Sequence, residues 1–464
     1  MALIKSISGI RGTIGGEVGE NLTPVDVVKF AASYATWLKR NSDKTELRVA
    51  VGRDARISGE IVQNLVVSTL QSVGLDVLDL GLSTTPTVEM AVILEKTDGG
   101  IILTASHNPK EWNALKLLNE KGEFLSGSDG QKILEIAEND DFDFVSVDNL
   151  GSIEKDDSYI QKHIDEILKL GLVNKKAIEK ANFKVVVDGV NSTGGISIPQ
   201  TLRALGVKDV VELYCTPNGH FPHNPEPLKE NLTEISELVI KEKADIGIVV
   251  DPDVDRLAVV SEDGSMFGEE YTLVAVADYI LSKTNGNTVS NLSSSRALRD
   301  VTKNHGSLHN ASAVGEVNVV ELMKSTDAVI GGEGNGGIIY PELHYGRDSL
   351  VGVALFLSHL AEKNISCTEL KSEYPEYFMS KNKIQLTPEI DVDNILMKIE
   401  GKYKSEEVST VDGVKIDFDN QWVHMRKSNT EPIIRIYTEA KSQEKADKLA
   451  ERFLGELATI AGIL

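Results

Sequence analysis

The sequence predicts an α/β fold of three similar α/β domains followed by a smaller C-terminal α+β domain. Three observations carry this. At 464 residues the chain is too long for a single core, and its length allows roughly three or four domains. Strands and helices recur in the same order three times, and the last strand of each copy runs into a loop of unusual chemistry. From about Cys367 the pattern changes to strands in succession flanked by helices.

In the first copy a β-branched run at 47–51 meets Gly52-Arg53-Asp54 and a helical stretch reaches Leu70. A strand near 77–80 leads to Ser83-Thr84-Thr85-Pro86-Thr87, a helix near 88–94, and the apolar run 100–103 that enters Thr104-Ala105-Ser106-His107-Asn108-Pro109. The second copy runs from a strand at 183–187 through a helix to Leu205, a strand at 210–213, a helix at 232–243, and the strand 246–250 that enters Asp251-Pro252-Asp253-Val254-Asp255-Arg256. The third starts at 287–289, has helices near 297–303 and 319–323, and passes from 328–330 into the glycine-rich 331–337. Strands at 383–386, 414–418, 421–426 and 433–437, a helix at 392–399 and a last helix from about 443 make up the α+β domain. The expected domains are 1–150, 151–258, 259–368 and 369–464. Three matching strand ends suit one shared cleft between domains.

The formal charge of −23 argues against a nucleic-acid partner and against a polybasic membrane surface, because phosphate backbones demand clustered Lys and Arg. Two cysteines, Cys215 and Cys367, lie far apart without metal-ligand spacing, which argues against a disulfide framework or a zinc site. The first residues lack the apolar core of a signal peptide, and no apolar run approaches membrane-spanning length. A cytoplasmic location is expected.

A strand ending in polar residues and Pro places Ser106 at the carboxyl edge of a sheet, where open α/β sheets hold ligands. A hydroxyl there can carry a phosphoryl group if cations hold the dianion, so Ser106 reads as a phosphate carrier. Asp251, Asp253 and Asp255 alternate, and on extended backbone they would point to one face. Three such carboxylates repel unless a hard cation neutralises them, and Mg2+ suits oxygen ligands. Their spacing, with Glu262, also matches a calcium EF-hand, but Arg256 stands where that loop needs Gly and the flanks read as strands. Arg256 could pair with the carboxylates or reach the carrier. Lys116 has the character of an acid/base group, since a desolvated ammonium near Mg2+ loses its proton more readily. His107 adjoins the carrier but points away if the backbone is extended, which favours a packing or orienting part in the catalytic set.

Gly332-Glu333-Gly334-Asn335-Gly336-Gly337 satisfies GxGxxG, but Pro341 follows too soon for a helix to start there. Glu333 and Asn335 suit sugar hydroxyls instead. Arg426, Lys427, Ser428, Asn429 and Thr430, with Arg435 on the next strand, suit an unreactive phosphate dianion.

With these residues assembled, the sequence resembles the α-D-phosphohexomutase family along essentially its whole length, from Ser8-Gly9-Ile10-Arg11-Gly12 to the loop at 426–432. The resemblance implies three similar α/β domains with mixed sheets and a smaller C-terminal domain around a central cleft. It implies a phosphoserine at Ser106, Mg2+ ligated by Asp251, Asp253, Asp255 and the serine phosphate, and Lys116 as general base. Arg11 and Arg256 would steady the transferring phosphoryl group, Glu333 and Asn335 would contact sugar, and Arg426, Ser428, Asn429, Thr430 and Arg435 would grip the substrate phosphate.

This chain departs from the family pattern at Ala114, where Gly is usual, and at Asn335-Gly336-Gly337, where Ser and then Gly-His are usual. Glu316 stands where glucose and mannose enzymes often have His and where the glucosamine branch has an acid. A carboxylate complements a sugar ammonium. Asn429 looks more like the glucose and mannose branch. The expected function is a Mg2+-dependent mutase that interconverts 6-phospho and 1-phospho hexosamine, with a glucose or mannose phosphate mutase and a non-catalytic phosphosugar-binding protein as alternatives. The expected partner is a hexose or hexosamine phosphate, and a homodimer is compatible with the sequence.

Overall fold

The computed structural model describes residues 3–6, 9–385, 391–427 and 433–461. The chain divides into two compact units, Met1–Ile280 with Asn335–Lys371, and Leu281–Gly334 with Ser372–Leu464.

The first unit contains a seven-stranded mixed sheet in the order Ile4–Ser6, Gly9–Thr13, Trp112–Leu118, Gly99–Leu103, Arg48–Arg53, Asp76–Leu82 and Ile153–Lys155. Arg48–Arg53 is parallel to Asp76–Leu82 and to Gly99–Leu103, as strands joined by helices should be, while Trp112–Leu118 returns antiparallel. Val49, Val51, Ile101 and Leu103 pack with Phe30, Val66 and Leu70 on one face; Ala50 and Ile102 pack with Val88 and Ala91 on the other. Burial on both faces explains why these strands read as continuous apolar runs.

The helix Thr85–Glu95 begins three residues before the expected 88, because Thr84 accepts a bond from the Thr87 N–H and Pro is tolerated in a first turn. Among the strands not legible in the sequence are Gly9–Thr13 and Trp112–Leu118, which carry Arg11 and Lys116. Gly9 has φ +119°, and a Cβ there would run into the Leu115 carbonyl oxygen. Glycine is therefore what lets these two strands pair so closely.

A four-stranded sheet in the same unit has the order Leu257–Ser261, Ile246–Val250, Lys184–Asp188, Asp209–Leu213. Ile246–Val250 is parallel to Lys184–Asp188 and antiparallel to Leu257–Ser261. The carboxylate loop is therefore the connection between two strands, as expected, and not an EF-hand loop between helices.

In the second unit Asn287–Asn291 is parallel to His309–Ser312 and to Ala328–Glu333. The C-terminal sheet is antiparallel, in the order Phe378–Gln385, Ile433–Ala440, Gln421–Lys427, Val414–Phe418, Glu407–Ser409. Ile395 and Ile399 of the helix Val392–Lys402 join Phe453 and Leu457 of Gln443–Ala461 against Val423, Met425, Ile434 and Ile436. Apolar residues at helical spacing thus cover one face of an alternating sheet. No described helix is long and apolar enough to cross a membrane.

Candidate active site

Ser106 follows the fully buried strand Gly99–Leu103. Thr104 Oγ1 donates to Asp54 Oδ2 at 2.6 Å and accepts the Ser106 N–H at 2.9 Å. Arg56, 1% exposed, donates from its guanidinium to the carbonyl oxygens of Ser106, Asn108, Pro109 and Trp112 at 2.5, 2.7, 2.7 and 3.0 Å. Its Nε donates to Asp54 Oδ2 at 3.0 Å, which balances the charge. This clamp holds Ser106 at φ +47°, a left-handed conformation that a residue with a Cβ adopts only under constraint.

That turn corrects the expectation for His107. The backbone is not extended, so the ring does not point away; its Nδ1 lies 3.4 Å from Ser106 Oγ. Burial, with Arg256 and Arg11 nearby, holds the His107 pKa well below the usual imidazole range. The ring is neutral near pH 7.

The carboxylate loop also departs from extended backbone. Val254 has φ +65°, and its N–H donates to the Asp251 carbonyl at 3.1 Å. The N–H groups of Asp255 and Arg256 both donate to Asp251 Oδ1 at 3.1 Å. A tight turn, not strand alternation, brings the acids together: an oxygen from each of Asp251, Asp253 and Asp255 lies within 4.8 Å of the others, and all three residues are buried.

The surrounding side chains neutralise part of this charge. Ser106 Oγ donates to Asp251 Oδ2 at 2.6 Å, and Thr85 Oγ1 to Asp253 Oδ2 at 2.6 Å. Lys116 Nζ lies 2.7 Å from Asp253 Oδ2 and 3.3 Å from Asp255 Oδ2; Arg347 Nη2 is 2.7 Å from the same Asp255 oxygen. Burial and the two neighbouring carboxylates push the Asp251 pKa well up. Burial would raise Asp253 as well, but Lys116 outweighs it and holds that pKa down. Burial alone would lower Lys116, yet Asp253 and Asp255 together keep its pKa raised. The two carboxylates thus oppose the deprotonation that burial favours.

The remaining oxygens, Asp253 Oδ1 and Asp255 Oδ1, are buried without a hydrogen-bond partner. Orphaned carboxylate oxygens in a cluster with only oxygen donors fit a hard divalent cation.

Arg11 and Arg256 belong to the same unit. Arg11 Nη1 donates to Asn108 Oδ1 at 2.8 Å, beside the serine turn. Arg256 pairs through its guanidinium with Glu226 Oε1 at 3.2 Å, not with the three acids, and its Nε is buried without a partner. Asn335, also in this unit, accepts the Gly337 N–H at 3.1 Å.

Glu333 lies in the second unit, where its Oε1 accepts from Asn291 Nδ2 at 2.9 Å and from the Gly315 N–H at 3.1 Å. Arg426 and Arg435 stand directly opposite on paired strands. Like charges in that register repel unless an anion lies between them. Ser428, Asn429 and Thr430 lie outside the described residues.

Arg56, Thr85, Thr104 and Arg347 were missed by sequence reasoning. Arg56 lies two residues beyond the noted Gly52-Arg53-Asp54, and Thr85 sits in a hydroxyl run read only as a loop. Arg347 had no local signal.

The chain matches, in order, the models for phosphoglucomutase/phosphomannomutase alpha/beta/alpha domains I, II and III at residues 3–144, 161–264 and 268–377, and that for the C-terminal domain at 383–456. It is 37% identical to a phosphoglucomutase/phosphomannomutase of Thermococcus kodakarensis, over 95% of this chain and 96% of the relative. It is 33% identical to a phosphoglucosamine/phosphogalactosamine mutase of Sulfurisphaera tokodaii, over 97% and 98%. A crystal structure of a phosphoglucomutase/phosphomannomutase family protein from Burkholderia thailandensis superposes with a TM-score of 0.85 at 25% identity, covering 99% of this chain and 98% of that one. Fold and relatives define a phosphosugar mutase. The chain belongs to the α-D-phosphohexomutase family.

Proposed function

We propose that this phosphohexomutase interconverts glucosamine 6-phosphate and glucosamine 1-phosphate, with Ser106 as the phosphoryl carrier. The observation that supports the carrier role is the 2.6 Å bond from Ser106 Oγ to Asp251, which joins a strained hydroxyl to a buried carboxylate cluster. Bound by Asp251, Asp253 and Asp255, Mg2+ would supply positive charge to the serine oxygen and its phosphoryl group, and would withdraw from Lys116 the carboxylates that keep it an ammonium.

Phosphorylated Ser106 donates its phosphoryl group to the free sugar hydroxyl. The P–Oγ bond breaks, a new P–O bond forms on the sugar, and Lys116 takes the hydroxyl proton. Arg11 and Arg256 hold the phosphoryl oxygens; Arg426 and Arg435 are the cations this reading assigns to substrate phosphate. The resulting bisphosphate turns around, its second phosphate passes to Ser106, and Lys116 returns the proton. His107, neutral and against the serine oxygen, orients that oxygen.

The hexosamine reading is supported by Glu316, which is buried at the start of its helix next to Gly315, the residue that bonds Glu333. A carboxylate at this point suits a sugar ammonium. The 37% identity to a phosphoglucomutase/phosphomannomutase favours a second reading, glucose or mannose phosphate. Parallel kinetics on glucosamine, glucose and mannose 6-phosphates decide between them. A larger kcat/KM for either neutral sugar would reject the hexosamine assignment.

A further inference from the structure

One helical turn beyond Thr85 on the helix Thr85–Glu95, Glu89 enters a second buried cluster in the first unit that the proposed reaction does not use. His163 Nε2 and His344 Nε2 lie 3.0 and 3.2 Å from one oxygen, Asp348 Oδ2. These atoms lie within 4.8 Å of one another, and all three residues are buried. Asp348 Oδ1 accepts from the N–H groups of Leu350 and Val351 at 2.8 and 3.3 Å, which fixes the direction of Oδ2. The outer ring nitrogens also face oxygens: His163 Nδ1 is 3.1 Å from Thr87 Oγ1, and His344 Nδ1 is 3.3 Å from Glu89 Oε2.

The geometry admits two readings. Held by hydrogen bonds alone, Asp348 Oδ2 takes two imidazole donors at one atom. With a metal ion at the point of convergence, both Nε2 atoms present lone pairs to it. The outer nitrogens then keep their hydrogens, His163 Nδ1 bonded to Thr87 Oγ1 and His344 Nδ1 turned towards the Glu89 carboxylate, the kind of outer partner that orients ligating histidines. The spacing agrees, since bonds of about 2.0–2.1 Å in a tetrahedron place donors about 3.3 Å apart. Two imidazoles with one carboxylate select zinc over magnesium, and leave one corner to water. A methyl group on Gly346 would run into both Glu89 and His344, so the cluster is closely fitted around them.

We propose that His163, His344 and Asp348 bind one zinc ion, with Thr87 and Glu89 facing the outer nitrogens of the two imidazoles. The site is independent of the mutase reaction and of the two cysteines. Its ligands come from the helix Tyr159–Ile167 and from residues 344–348, immediately before the helix Ser349–Lys363. The zinc ties these segments to the back of the carboxylate loop, where the Ser349 N–H donates to the Val254 carbonyl at 3.2 Å.

The test measures metal content of the full chain purified from zinc-supplemented culture and dialysed against a mild chelator. The expected result is about one zinc per chain, retained by Asp253→Asn and reduced at least tenfold in His344→Gln and in His163→Asn. Zinc should raise the melting temperature of stripped wild type and leave that of the histidine variants unchanged. Should the variants fail to fold, cobalt-loaded wild type gives the reading: an intense visible band supports four-coordinate nitrogen ligation, and a weak six-coordinate spectrum overturns it. Zinc absent from wild type, or lost in Asp253→Asn and kept in the histidine variants, also overturns the proposal.

Discussion

The guanidinium of Arg56 donates to the carbonyl oxygen of Ser106 at 2.5 Å, so a fully buried cation fixes the backbone of the candidate carrier without touching its hydroxyl. The same group takes three further carbonyls of the turn, and Asp54 neutralises it. Arg56→Lys keeps the charge but loses the planar fork that reaches several acceptors at once. The expected outcome is a fall in kcat of about 10–100-fold with a smaller change in KM, because misplacing the carrier affects the transferring state most. Arg56→Ala should also cost about 3–5 kcal/mol in urea unfolding, since it strands buried Asp54. A variant Arg56→Lys with wild-type kcat would show that the clamp does not position Ser106.

Ser106→Ala removes the proposed carrier oxygen and one hydrogen bond, in a residue at φ +47° that Ala tolerates no worse than Ser. Turnover should fall by about 1,000-fold or more while the circular dichroism spectrum stays native. Intact mass spectrometry should find a phosphate on wild type and none on the variant. Full activity in Ser106→Ala would refute the carrier role.

His424 provides a pH signature in the second unit. It is 1% exposed, with Ser293 Oγ 2.9 Å from Nδ1 and the Asp412 carbonyl 2.7 Å from Nε2. Burial pushes its pKa down to about 4, and Lys415 nearby adds to that shift. The unfolded chain, with an ordinary histidine near 6.5, then binds more protons than the native state below that pH. This stability is fully present above about pH 6.5 and is lost as pH falls towards about 4, by roughly 2–3 kcal/mol. Denaturant midpoints across this window should drop on acidification, and the drop should be smaller in His424→Gln. An unchanged slope in that variant would assign the acid sensitivity to other groups.

The α/β repeats were legible because their central strands are buried on both faces and stand out as apolar runs such as 100–103 and 246–250. Ser106 and the three acids were legible because hydroxyls and carboxylates directly after such runs are chemically conspicuous. Their conformations were not. Positive φ at Ser106 and Val254 arises from long-range clamps, and neither residue type advertises it. The partners of the site were hidden for a related reason: Arg56 acts on a residue 50 positions away and Arg347 on one 92 positions away. No periodicity records such pairings. The cluster of His163, His344 and Asp348 is equally scattered, and the cysteine count that argued against zinc had no bearing on it.

Arg347 and Lys116 hold one oxygen of a carboxylate whose other oxygen is left for a divalent cation: Arg347 is 2.7 Å and Lys116 3.3 Å from Asp255 Oδ2, while Asp255 Oδ1 has no partner. Protein cation and metal therefore compete for one negative cluster. Replacing Arg347 by Gln should act in opposite directions on the two states. Without metal, Asp255 loses a buried partner and unfolding stability should fall by about 3 kcal/mol. With metal, the competitor is gone, so the Mg2+-induced rise in melting temperature should exceed that of wild type, and half-saturation should come at lower Mg2+. A scan of melting temperature against Mg2+ concentration for both proteins measures this directly. If Mg2+ stabilises the variant less than it stabilises wild type, Arg347 assists cation binding instead of opposing it, and the competition account fails.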